Sequence, residues 1–256
     1  MNETQVLLEA AREVARVMGE AARRHWRAAL DVETKADGSP VTRADREAEQ
    51  AARAWLAARF PGDGVVGEEF GESRPEAARR WYLDPVDGTR TFVRGVPLWG
   101  SMVGVVEHDV VVAGAIHYPA LGEEIAAARG AGCWWNGARC RVSVEADLAR
   151  ATVLATEERF TCDARKKAAW DALAARAALA RSWGDCYGYL LVATGRAEVM
   201  MDPKLAVWDA AAVQVVIDEA GGSFTDWTGA RSPEGLGGIA TNAALAAEVR
   251  AALIGG

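Results

Sequence analysis

The sequence predicts an α/β fold built from two units of packed helices and sheets, and three observations lead to this prediction. Residues 3–30 carry apolar side chains at the spacing of a helix. Two apolar runs, 99–106 and 110–118, are joined by three polar residues, as in a β-hairpin. The remainder of the chain alternates between strand-like and helix-like segments, which is typical of layered α/β architecture. We therefore predict two units, residues 1–146 and residues 147–256.

Two helices are expected to open the N-terminal unit. The apolar stripe of the first is formed by Val6, Leu7, Ala10, Val14, Val17, Met18 and Ala21. The sequence Asp37-Gly38-Ser39-Pro40 then favours a loop. Thr42 can cap a second helix that runs from Arg43 to about Phe60, because its hydroxyl can accept a hydrogen bond from a free backbone N–H.

Short strands are predicted after these helices, and each ends at carboxylates. They are Val65-Val66-Gly67 and Trp81-Tyr82-Leu83, followed by the hairpin around Glu107-His108-Asp109 and a strand near residues 124–128. The pair Asn136-Gly137 is a preferred two-residue turn, so it continues an antiparallel sheet. We expect this unit to have a sheet of several strands with helices on one face.

The C-terminal unit is predicted to alternate strands and helices. Strands are expected at 152–155, 197–201, 223–226 and 238–241, and helices at 163–178, 185–194, 209–220 and 243–253. A cleft between two such units is a common place for a small-molecule site.

Composition and charge narrow the class of protein. The chain has 256 residues, of which 50% are hydrophobic and 25% charged, as in ordinary globular proteins. Its net charge of −7 argues against a general nucleic-acid binder, which needs clustered Lys and Arg. Its N-terminus resembles no secretory peptide and its apolar runs are too short to span a membrane. The four cysteines Cys133, Cys140, Cys162 and Cys186 form no CxxC pair, so we expect reduced thiols in a cytoplasmic protein.

The stretch from Leu83 to Thr89 contains the residues that point to a chemistry. We expect a strand to end at Asp84, because Pro85 cannot donate to the next hydrogen bond of the ladder. Gly88 permits a tight turn, after which Thr89 can open a helix or loop. The backbone N–H groups of Gly88 and Thr89 could then hold a phosphate oxygen.

Oxygen ligands are concentrated in the same stretch. Asp84, Asp87 and the carbonyl of Val86 can face one side of the turn, and Mg²⁺ prefers oxygen ligands. The spacing fits neither an EF-hand nor the D-x-D of an aspartyl-phosphate enzyme. A turn with solvated carboxylates remains the alternative. Taken alone, an aspartate placed like Asp209 is more often a helix N-cap than a metal ligand, and a glutamate placed like Glu68 is more often a surface residue.

Several motifs together resemble the inositol monophosphatase family of Mg²⁺-dependent, lithium-sensitive phosphatases. They are Gly67-Glu68-Glu69, Asp84-Pro85-Val86-Asp87-Gly88-Thr89, Trp208-Asp209-Ala210-Ala211-Ala212 and Glu219-Ala220-Gly221-Gly222, with Val41-Thr42-Arg43-Ala44-Asp45 upstream and Leu191-Val192-Ala193-Thr194-Gly195 downstream of the metal turn. These matches keep the family's order and extend from about residue 35 to about residue 225.

The resemblance implies a layered α/β/α/β/α sandwich and a phosphomonoesterase with two to three Mg²⁺ ions. The ions would be held by Glu68, Asp84, the Val86 carbonyl, Asp87 and Asp209. Thr89, assisted by Asp45, would orient or deprotonate the attacking water, with Glu68 as a further catalytic carboxylate. No nucleophilic side chain is required, because phosphoryl transfer depends mainly on positioning and electrostatic stabilisation.

Two further motifs are similar to the branch of the family that dephosphorylates L-histidinol phosphate in histidine biosynthesis. These are Arg90-Thr91 with Arg94-Gly95 after the metal turn, and Gly184-Asp185. Histidinol phosphate carries an ammonium group, which favours an additional carboxylate such as Asp185. Gly88, Thr89, Arg90, Asp185 and Asp202 are therefore the predicted substrate contacts. Asp185 as a simple helix cap and Arg90 as a solvated charge remain alternatives.

Other functions stay open at this point. An inositol-1-monophosphatase or a fructose-1,6-bisphosphatase would use the same metal site, and a non-catalytic metal-binding scaffold would keep only the fold. The expected partner is a small phosphorylated metabolite, and family members suggest a homodimer with Arg94 near its interface. Lys35 could touch the phosphate or order the catalytic loop, or it could be solvated.

Overall fold

Two large β-sheets with helices between and outside them, together with a third sheet of two short strands, make up the structure, a computed structural model that describes residues 2–29, 31–36, 38–161, 163–235 and 237–254. Of the cysteines, Cys162 lies outside these residues, and the other three are free thiols. The helices are α1 Glu3–Arg23, α2 Arg43–Arg59, α3 Thr89–Val93, α4 Ala164–Ala174, α5 Asp185–Ala193, α6 Val207–Glu219 and α7 Ala246–Ile254. A short 3-10 helix spans Leu148–Arg150.

The strands agree with most of the predicted segments. They are β1 Glu33–Thr34, β2 Pro40–Val41, β3 Gly64–Gly67, β4 Gly71–Ser73, β5 Arg79–Asp87, β6 Gly100–Glu107, β7 Val110–Tyr118, β8 Glu123–Ala128, β9 Gly132–Trp135, β10 Ala138–Arg139, β11 Thr152–Ala155, β12 Leu179–Arg181, β13 Val199–Asp202, β14 Ser223–Thr225 and β15 Gly238–Thr241. The sequence patterns did not predict β1, β2, β4 or β12, each of which has only two or three residues.

The larger sheet has eight strands in the order β10-β9-β8-β7-β6-β5-β3-β4. Adjacent strands of this sheet are antiparallel, except for β3 and β5, which are parallel to each other. Both predicted hairpin turns are present: His108 and Asp109 have φ of 48° and 61°, and Asn136 and Gly137 have φ of 49° and 78°. Two consecutive residues with positive φ are the signature of the turn whose twist matches a β-hairpin.

Helices cover both faces of this sheet, so the expectation of helices on one face was wrong. α1 and α2 pack on one face, against Trp81, Leu83 and Val103 among others. α5 and α6 pack on the other face, together with alternate residues such as Tyr82 and Met102. Successive side chains of a strand point to opposite faces of the sheet. Here the side chains on both faces are apolar, as in a strand that is buried on both sides.

The smaller sheet, of order β12-β11-β13-β15-β14, lies on the far side of α5 and α6. Leu154 and Met200 face those two helices, whereas Val153, Val199 and Ile239 face α4 and α7. The layers are therefore α1 and α2, the large sheet, α5 and α6, the small sheet, and α4 with α7. This is the five-layer α/β/α/β/α sandwich that the family resemblance implied.

A pair of glycines allows α6 to lie directly on the large sheet. Gly104 of β6 and Gly114 of β7 are direct partners in the strand register. A Cβ on Gly104 would lie 2.5 Å from the Cβ of Ala211, and a Cβ on Gly114 would lie 2.9 Å from the carbonyl oxygen of Ala212. This close approach brings the first turn of α6, which contains Asp209, to the end of β5.

α1 is shorter than predicted. It ends at Arg23 instead of near residue 30, and residues 24–27 form turns. Arg27 has a φ of 62°, which reverses the chain, and Trp26 packs against Trp99 with ring centroids 6.3 Å apart. The tertiary contact of Trp26 therefore overrides the favourable helix propensity of the alanines that follow. In the described part of the chain, no helix combines the length and apolar character that crossing a membrane requires.

Candidate active site

Asp84 and Asp87 lie on β5, which continues through Pro85 instead of ending at Asp84 as predicted. Pairing with β6 reaches Asp84 opposite Met102, is interrupted, and resumes with Asp87 opposite Gly100. Two residues of β5 thus oppose one residue of β6, which is a β-bulge. In a regular strand, residues three apart point to opposite faces. The extra residue corrects this, so both carboxylates reach the same side.

At the bulge, side-chain hydrogen bonds replace the ladder hydrogen bond that is missing. Ser101 donates its hydroxyl to the carbonyl of Pro85 at 2.6 Å. Asp84 Oδ1 accepts the backbone N–H of Val86 at 2.9 Å. The polar backbone groups around Pro85 are therefore satisfied although the proline has no N–H.

The turn after Asp87 is as predicted. Gly88 has a φ of 81° and immediately precedes α3, whose first residue is Thr89. The Thr89 hydroxyl lies 2.9 Å from the Val86 carbonyl oxygen and 3.4 Å from Asp45 Oδ1. Glycine is favoured at this position because a Cβ is strained at positive φ.

Asp45 reaches Thr89 from the first turn of α2. Thr42 is the N-cap of this helix, as predicted, and its hydroxyl accepts the N–H of Ala44 at 3.1 Å. Asp45 Oδ2 in return accepts the N–H and the hydroxyl of Thr42, at 2.8 and 2.7 Å. One oxygen of Asp45 is therefore committed to the helix start, and the other faces Thr89. Burial raises the pKa of Asp45.

Asp209 lies in the first turn of α6, but it is not the N-cap residue, which is Ala206. Asp209 Oδ2 accepts the N–H of Ala206 at 3.3 Å. Within the described residues, its Oδ1 is buried and has no hydrogen-bond partner. A buried carboxylate oxygen without a partner is costly in a folded protein, so this atom indicates that a cationic or donor ligand belongs beside it.

Asp84, Asp87 and Asp209 form a compact cluster, which we call the aspartate cluster. One oxygen from each of the three lies within 4.8 Å of the others. Burial, reinforced by neighbouring carboxylates, raises the pKa of Asp84 and of Asp87 well above the usual value, and raises the pKa of Asp209 to about 7. A divalent cation would offset the repulsion between the three buried carboxylates and would give Asp209 Oδ1 a partner. The residues therefore fit a hard metal ion.

Glu68 lies next to the aspartate cluster, in the turn between β3 and β4. Its negative charge contributes to the raised pKa of Asp84 and of Asp209. Its side chain accepts a hydrogen bond from the Lys35 ammonium at 2.6 Å, and Lys35 also donates to Glu69 at 2.6 Å. Lys35 is therefore an ion-pair partner of the Glu68 turn, and the structure does not group Glu68 with the three aspartates.

Glu49 of α2 is a residue of the site that the sequence did not reveal. It is fully buried and accepts the backbone N–H of Glu69 at 2.7 Å and that of Phe70 at 3.3 Å. Arg53, one helical turn further on, donates to its carboxylate at 2.7 Å. The sequence feature that could have predicted its burial is its position one helical turn after Asp45, on the face of α2 that is spaced to point inwards.

Asp185 begins α5 and turns its side chain away from that helix. Its φ is 49°, and Asp185 Oδ2 accepts the hydroxyl of Thr91 at 3.0 Å. Gly184 is the N-cap residue, and no side-chain capping bond is present, so the alternative of a simple helix cap was wrong. Burial raises the pKa of Asp185, opposed by the Thr91 hydroxyl and by the charge of Arg90. The next residue, Cys186, donates its backbone N–H to Asp87.

Asp202 is buried and accepts two hydrogen bonds, whereas Arg90 is exposed. Asp202, at the end of β13, accepts the Tyr189 hydroxyl at 2.8 Å and the N–H of Thr156 at 3.3 Å. Its burial raises its pKa to about 6. Arg90 is exposed and donates to the carbonyl of Gly38 at 3.3 Å.

A small cavity of about 110 Å³ lies between the carboxylates of Asp87, Asp185, Asp202 and Asp209. It is lined by Asp87, Met102, Thr156, Asp185, Cys186, Tyr189, Asp202, Lys204, Leu205 and Asp209. Larger surface grooves, of about 490 and 690 Å³, lie at the C-terminal end of α6 and beside α1, away from the aspartate cluster, and another of about 460 Å³ touches the cluster only at Asp209. The carboxylates, and not the size of the cavity, therefore identify the candidate active site.

Comparisons with known proteins agree with this architecture. The model of the inositol monophosphatase family matches residues 3–254. A histidinol-phosphatase from Chlorobaculum parvum is 43% identical over 89% of this chain and 88% of its own length. A histidinol-phosphatase from Mycobacterium tuberculosis is 39% identical over 86% of each chain.

A solved structure resembles the whole chain. It is an inositol monophosphatase from Zymomonas mobilis, which is 31% identical, covers 99% of each chain and superimposes with a TM-score of 0.88. The order of layers described above is therefore also found in a protein that has been studied experimentally.

Proposed function

The chain belongs to the inositol monophosphatase family, and we propose that within this family it is a histidinol-phosphatase that hydrolyses L-histidinol phosphate to L-histidinol and phosphate in histidine biosynthesis. The observation that carries the phosphatase chemistry is the aspartate cluster, in which Asp209 Oδ1 is buried and has no hydrogen-bond partner among the described residues. The observation that favours histidinol phosphate is the carboxylate of Asp185 at the same cavity. Two relatives that carry the name histidinol-phosphatase support the assignment.

We assign Asp84, Asp87, Asp209, Glu68 and the Val86 carbonyl as the ligands of two to three Mg²⁺ ions. The carbonyl of Val86 can serve although it accepts the Thr89 hydroxyl, because a carbonyl oxygen has two lone pairs. When bound, the metal neutralises phosphate charge and lowers the pKa of a water. The raised pKa of the three aspartates in the metal-free protein agrees with a site shaped for a cation.

Thr89 and Asp45 are assigned to the attacking water. The single hydrogen of the Thr89 hydroxyl can turn from the Val86 carbonyl, 2.9 Å away, to Asp45 Oδ1, 3.4 Å away, and the hydroxyl oxygen can then accept from a water with its lone pairs. Burial raises the pKa of Asp45, which makes this carboxylate a better proton acceptor. Asp45 Oδ2 stays bound to Thr42, so the side chain cannot rotate away. Glu68, held by Lys35, is assigned as the further carboxylate that orients the water.

The phosphate is assigned to the start of α3, and the alcohol portion of the substrate to the cavity that Asp185 and Asp202 line. Backbone N–H groups of Gly88 and Thr89, at the start of α3, are assigned to phosphate oxygens. Asp185 is assigned to the substrate ammonium, because Thr91 occupies only one of its two oxygens. Arg90 is assigned as a further contact from the exposed side, and its positive charge offsets that of Asp185. Asp202 is assigned to the far end of the alcohol portion, with its carboxylate oriented by Tyr189.

Assembly and organisation are also proposed. We propose a homodimer with Arg94 close to its interface, a cytoplasmic location, and a functional division of the chain into residues 1–146 and 147–256. Support for the division comes from the site itself, since Asp84 and Asp87 come from the first part and Asp185 and Asp209 from the second. Sedimentation equilibrium of the purified protein tests the dimer directly.

An inositol-1-monophosphatase is the second candidate, because the Zymomonas mobilis enzyme matches the whole chain. The test measures kcat/KM with Mg²⁺ for L-histidinol phosphate, inositol 1-phosphate and fructose 1,6-bisphosphate in parallel. We expect a preference of at least about tenfold for histidinol phosphate, which corresponds to about 1.4 kcal/mol of transition-state discrimination. A preference for either other ester would refute the substrate assignment and leave the metal chemistry standing.

A non-catalytic scaffold is the alternative from another class. Asp87→Asn preserves the shape of the side chain and removes its charge, and we expect it to lower kcat/KM by about 100-fold or more. Asp171→Asn on the exposed surface of α4 serves as the control and should keep full activity. Equal activity of the wild type and Asp87→Asn would show that the aspartate cluster does not perform the reaction.

A further inference from the structure

Cys133 and Cys140 lie side by side in the hairpin of β9 and β10, outside the candidate active site. The register pairs Ala138 with Trp135 and Arg139 with Trp134, so the next position places Cys140 opposite Cys133. The backbone N–H of Cys140 donates to the carbonyl of Cys133 at 3.0 Å. The two Sγ atoms are 3.5 Å apart.

This geometry is close to that of a disulfide. Cβ atoms of directly opposed residues in antiparallel strands are typically about 4.5–5.5 Å apart, whereas a disulfide requires about 3.5–4.5 Å. The sulfur atoms must approach by about 1.5 Å to reach the S–S bond length of about 2.05 Å. Rotation of the two side chains brings the sulfur atoms together, and the approach of the Cβ atoms requires a small backbone shift at the end of β10, which has only two residues.

The two thiols differ in exposure and acidity. Cys133 is fully buried, and both its contact with Cys140 and its burial raise its pKa. Cys140 is half-buried, and its side-chain contact with Cys133 together with the nearby positive charge of Arg196 lowers its pKa. Arg196 is held in place over the ring of Trp135, 4.7 Å from its centroid. Cys140 is thus the accessible thiol that ionises more readily, and such a thiol reacts first with an oxidant.

We propose that Cys133 and Cys140 are an oxidative modification site that peroxide converts into an intrachain disulfide. The Cys140 thiolate attacks one peroxide oxygen and releases hydroxide, which gives a sulfenic acid on Cys140. The Cys133 thiol then attacks that sulfur, loses its proton and displaces water. Overall, two thiols and one hydrogen peroxide give one disulfide and two waters, and a dithiol reductant reverses the change.

The disulfide would tie β9 to the segment that joins the two sheets. Val142, two residues after Cys140, donates its backbone N–H to the carbonyl of Ala220 at 3.0 Å, at the end of α6. A Cβ on Gly195, just after α5, would lie 3.1 Å from the backbone N of Ser143. The bond would therefore fasten the ends of α5 and α6 that are remote from Asp185 and Asp209, so it should affect stability more than turnover.

Peptide mapping tests the proposal directly. The protein is treated with hydrogen peroxide under native conditions, alkylated, denatured and digested with trypsin without reduction. Trypsin cleaves after Arg129, Arg139 and Arg141, so the disulfide would link the peptide of residues 130–139 to the dipeptide Cys140-Arg141. We expect this linked species after peroxide treatment and its disappearance after dithiothreitol. We also expect the melting temperature of the oxidised protein to rise by about 5 °C, because the bond closes a short loop in the unfolded chain.

Two variants separate this bond from other oxidation. Cys162→Ser should still give the linked peptide and the rise in melting temperature, whereas Cys140→Ser should give neither. Oxidation of Cys140 to sulfinic acid without a linked peptide would overturn the proposal. A disulfide to Cys162 or between two chains would overturn it as well. The mapping of the wild type needs no variant, so a folding defect in Cys140→Ser would leave the test decisive.

Discussion

The buried carboxylate of Glu49 accepts the backbone N–H of Glu69 at 2.7 Å, so helix α2 holds the turn that presents Glu68. The N–H of Phe70 and the guanidinium of Arg53 complete its partners, at 3.3 and 2.7 Å. α2 therefore supports the site twice, once through Asp45 and once through Glu49. A charged side chain that is fully buried and fully bonded fixes the geometry of the groups that it contacts.

Replacing Glu49 is expected to weaken Mg²⁺ binding more than it slows the catalytic step. In Glu49→Ala the turn around Glu68 loses its anchor, and Arg53 loses its carboxylate partner. Loss of groups that orient metal ligands typically costs about 10–100-fold in metal affinity. We therefore expect the Mg²⁺ concentration for half-maximal activity to rise by about tenfold, with kcat at saturating Mg²⁺ reduced by a smaller factor.

A matched control lies in the same hairpin. Glu72 of β4 is exposed at the surface, where its contact with Arg80 is 3.8 Å long. Glu72→Ala should leave the Mg²⁺ dependence unchanged. An unchanged Mg²⁺ dependence in Glu49→Ala itself would show that the turn holds its shape without α2.

Asp209 makes the stability of the metal-free protein depend on pH. Its pKa is raised to about 7 in the folded state, above the usual value of 3.8. The folded state therefore binds the proton more tightly than the unfolded state does. The stabilisation from this group is complete below about pH 4 and is lost as the pH rises through about 7.

The measurement is urea unfolding in EDTA at several pH values, for the wild type and Asp209→Asn. Between pH 4 and 7 we expect the free energy of unfolding of the wild type to fall relative to that of the variant by on the order of 3 kcal/mol. Asp171→Asn, on the exposed surface of α4, should not remove this fall. Parallel curves for the wild type and Asp209→Asn would show that Asp209 keeps an ordinary pKa.

Asp185→Asn tests how the alcohol portion is recognised. Asparagine has the same shape and tolerates the positive φ at this position, so the start of α5 should be preserved. A hydrogen bond between charged groups contributes about 1.5–3 kcal/mol. We expect kcat/KM for histidinol phosphate to fall by about 10–100-fold, and kcat/KM for p-nitrophenyl phosphate, which has no ammonium group, to change by less than about threefold.

The comparison of the two esters is the internal control for Asp185→Asn. Equal losses on both esters would assign Asp185 to the structure of the cavity, through its bond with Thr91, and not to the substrate. Thr91→Val, which removes only that bond, should show a smaller loss in the same direction.

Gly104→Ala is expected to push α6 away from the large sheet. The new methyl group would lie 2.5 Å from the Cβ of Ala211 and 2.8 Å from its carbonyl carbon, so the helix backbone would have to move. Overpacking of this kind typically costs about 1–3 kcal/mol. We expect a loss of about 2 kcal/mol in the free energy of unfolding, together with weaker Mg²⁺ binding because Asp209 moves with α6.

Gly62→Ala is the comparison for this substitution, since no atom lies within 4 Å of its Cβ position. It should leave both stability and Mg²⁺ binding close to those of the wild type. Normal Mg²⁺ binding in a destabilised Gly104→Ala protein would show that α6 accommodates the methyl group without moving Asp209.

Local sequence signals predicted those parts of the fold that depend on local chemistry. The cap at Thr42, the hairpin turn at Asn136-Gly137 and the turn at Gly88 all appear where their residue types favour them. The five-layer sandwich followed from the family motifs and is confirmed by the structure and by its resemblance to the Zymomonas mobilis enzyme. The assignment of individual residues to metal and substrate stays a prediction.

Features that depend on contacts distant in sequence could not be predicted. β5 continues past Pro85 because Ser101 and Asp84 satisfy the interrupted ladder, and no local pattern contains Ser101. Glu49 has a residue type that is normally exposed, and its burial follows only from the position of β3 against α2. Asp185 has the residue type of a helix cap, and its true orientation depends on Thr91, which is 94 positions earlier in the chain.

The position of α6 between the two sheets has a consequence for synthesis on the ribosome. All eight strands of the large sheet have emerged by Arg139, but α6, which covers one of its apolar faces, spans Val207–Glu219. Synthesis proceeds at about 5–20 residues per second, so the face that contains Tyr82 and Met102 stays uncovered for several seconds until α6 has been made. During this interval the exposed apolar face makes the nascent chain prone to aggregation, and chains truncated before α6 lack this cover altogether.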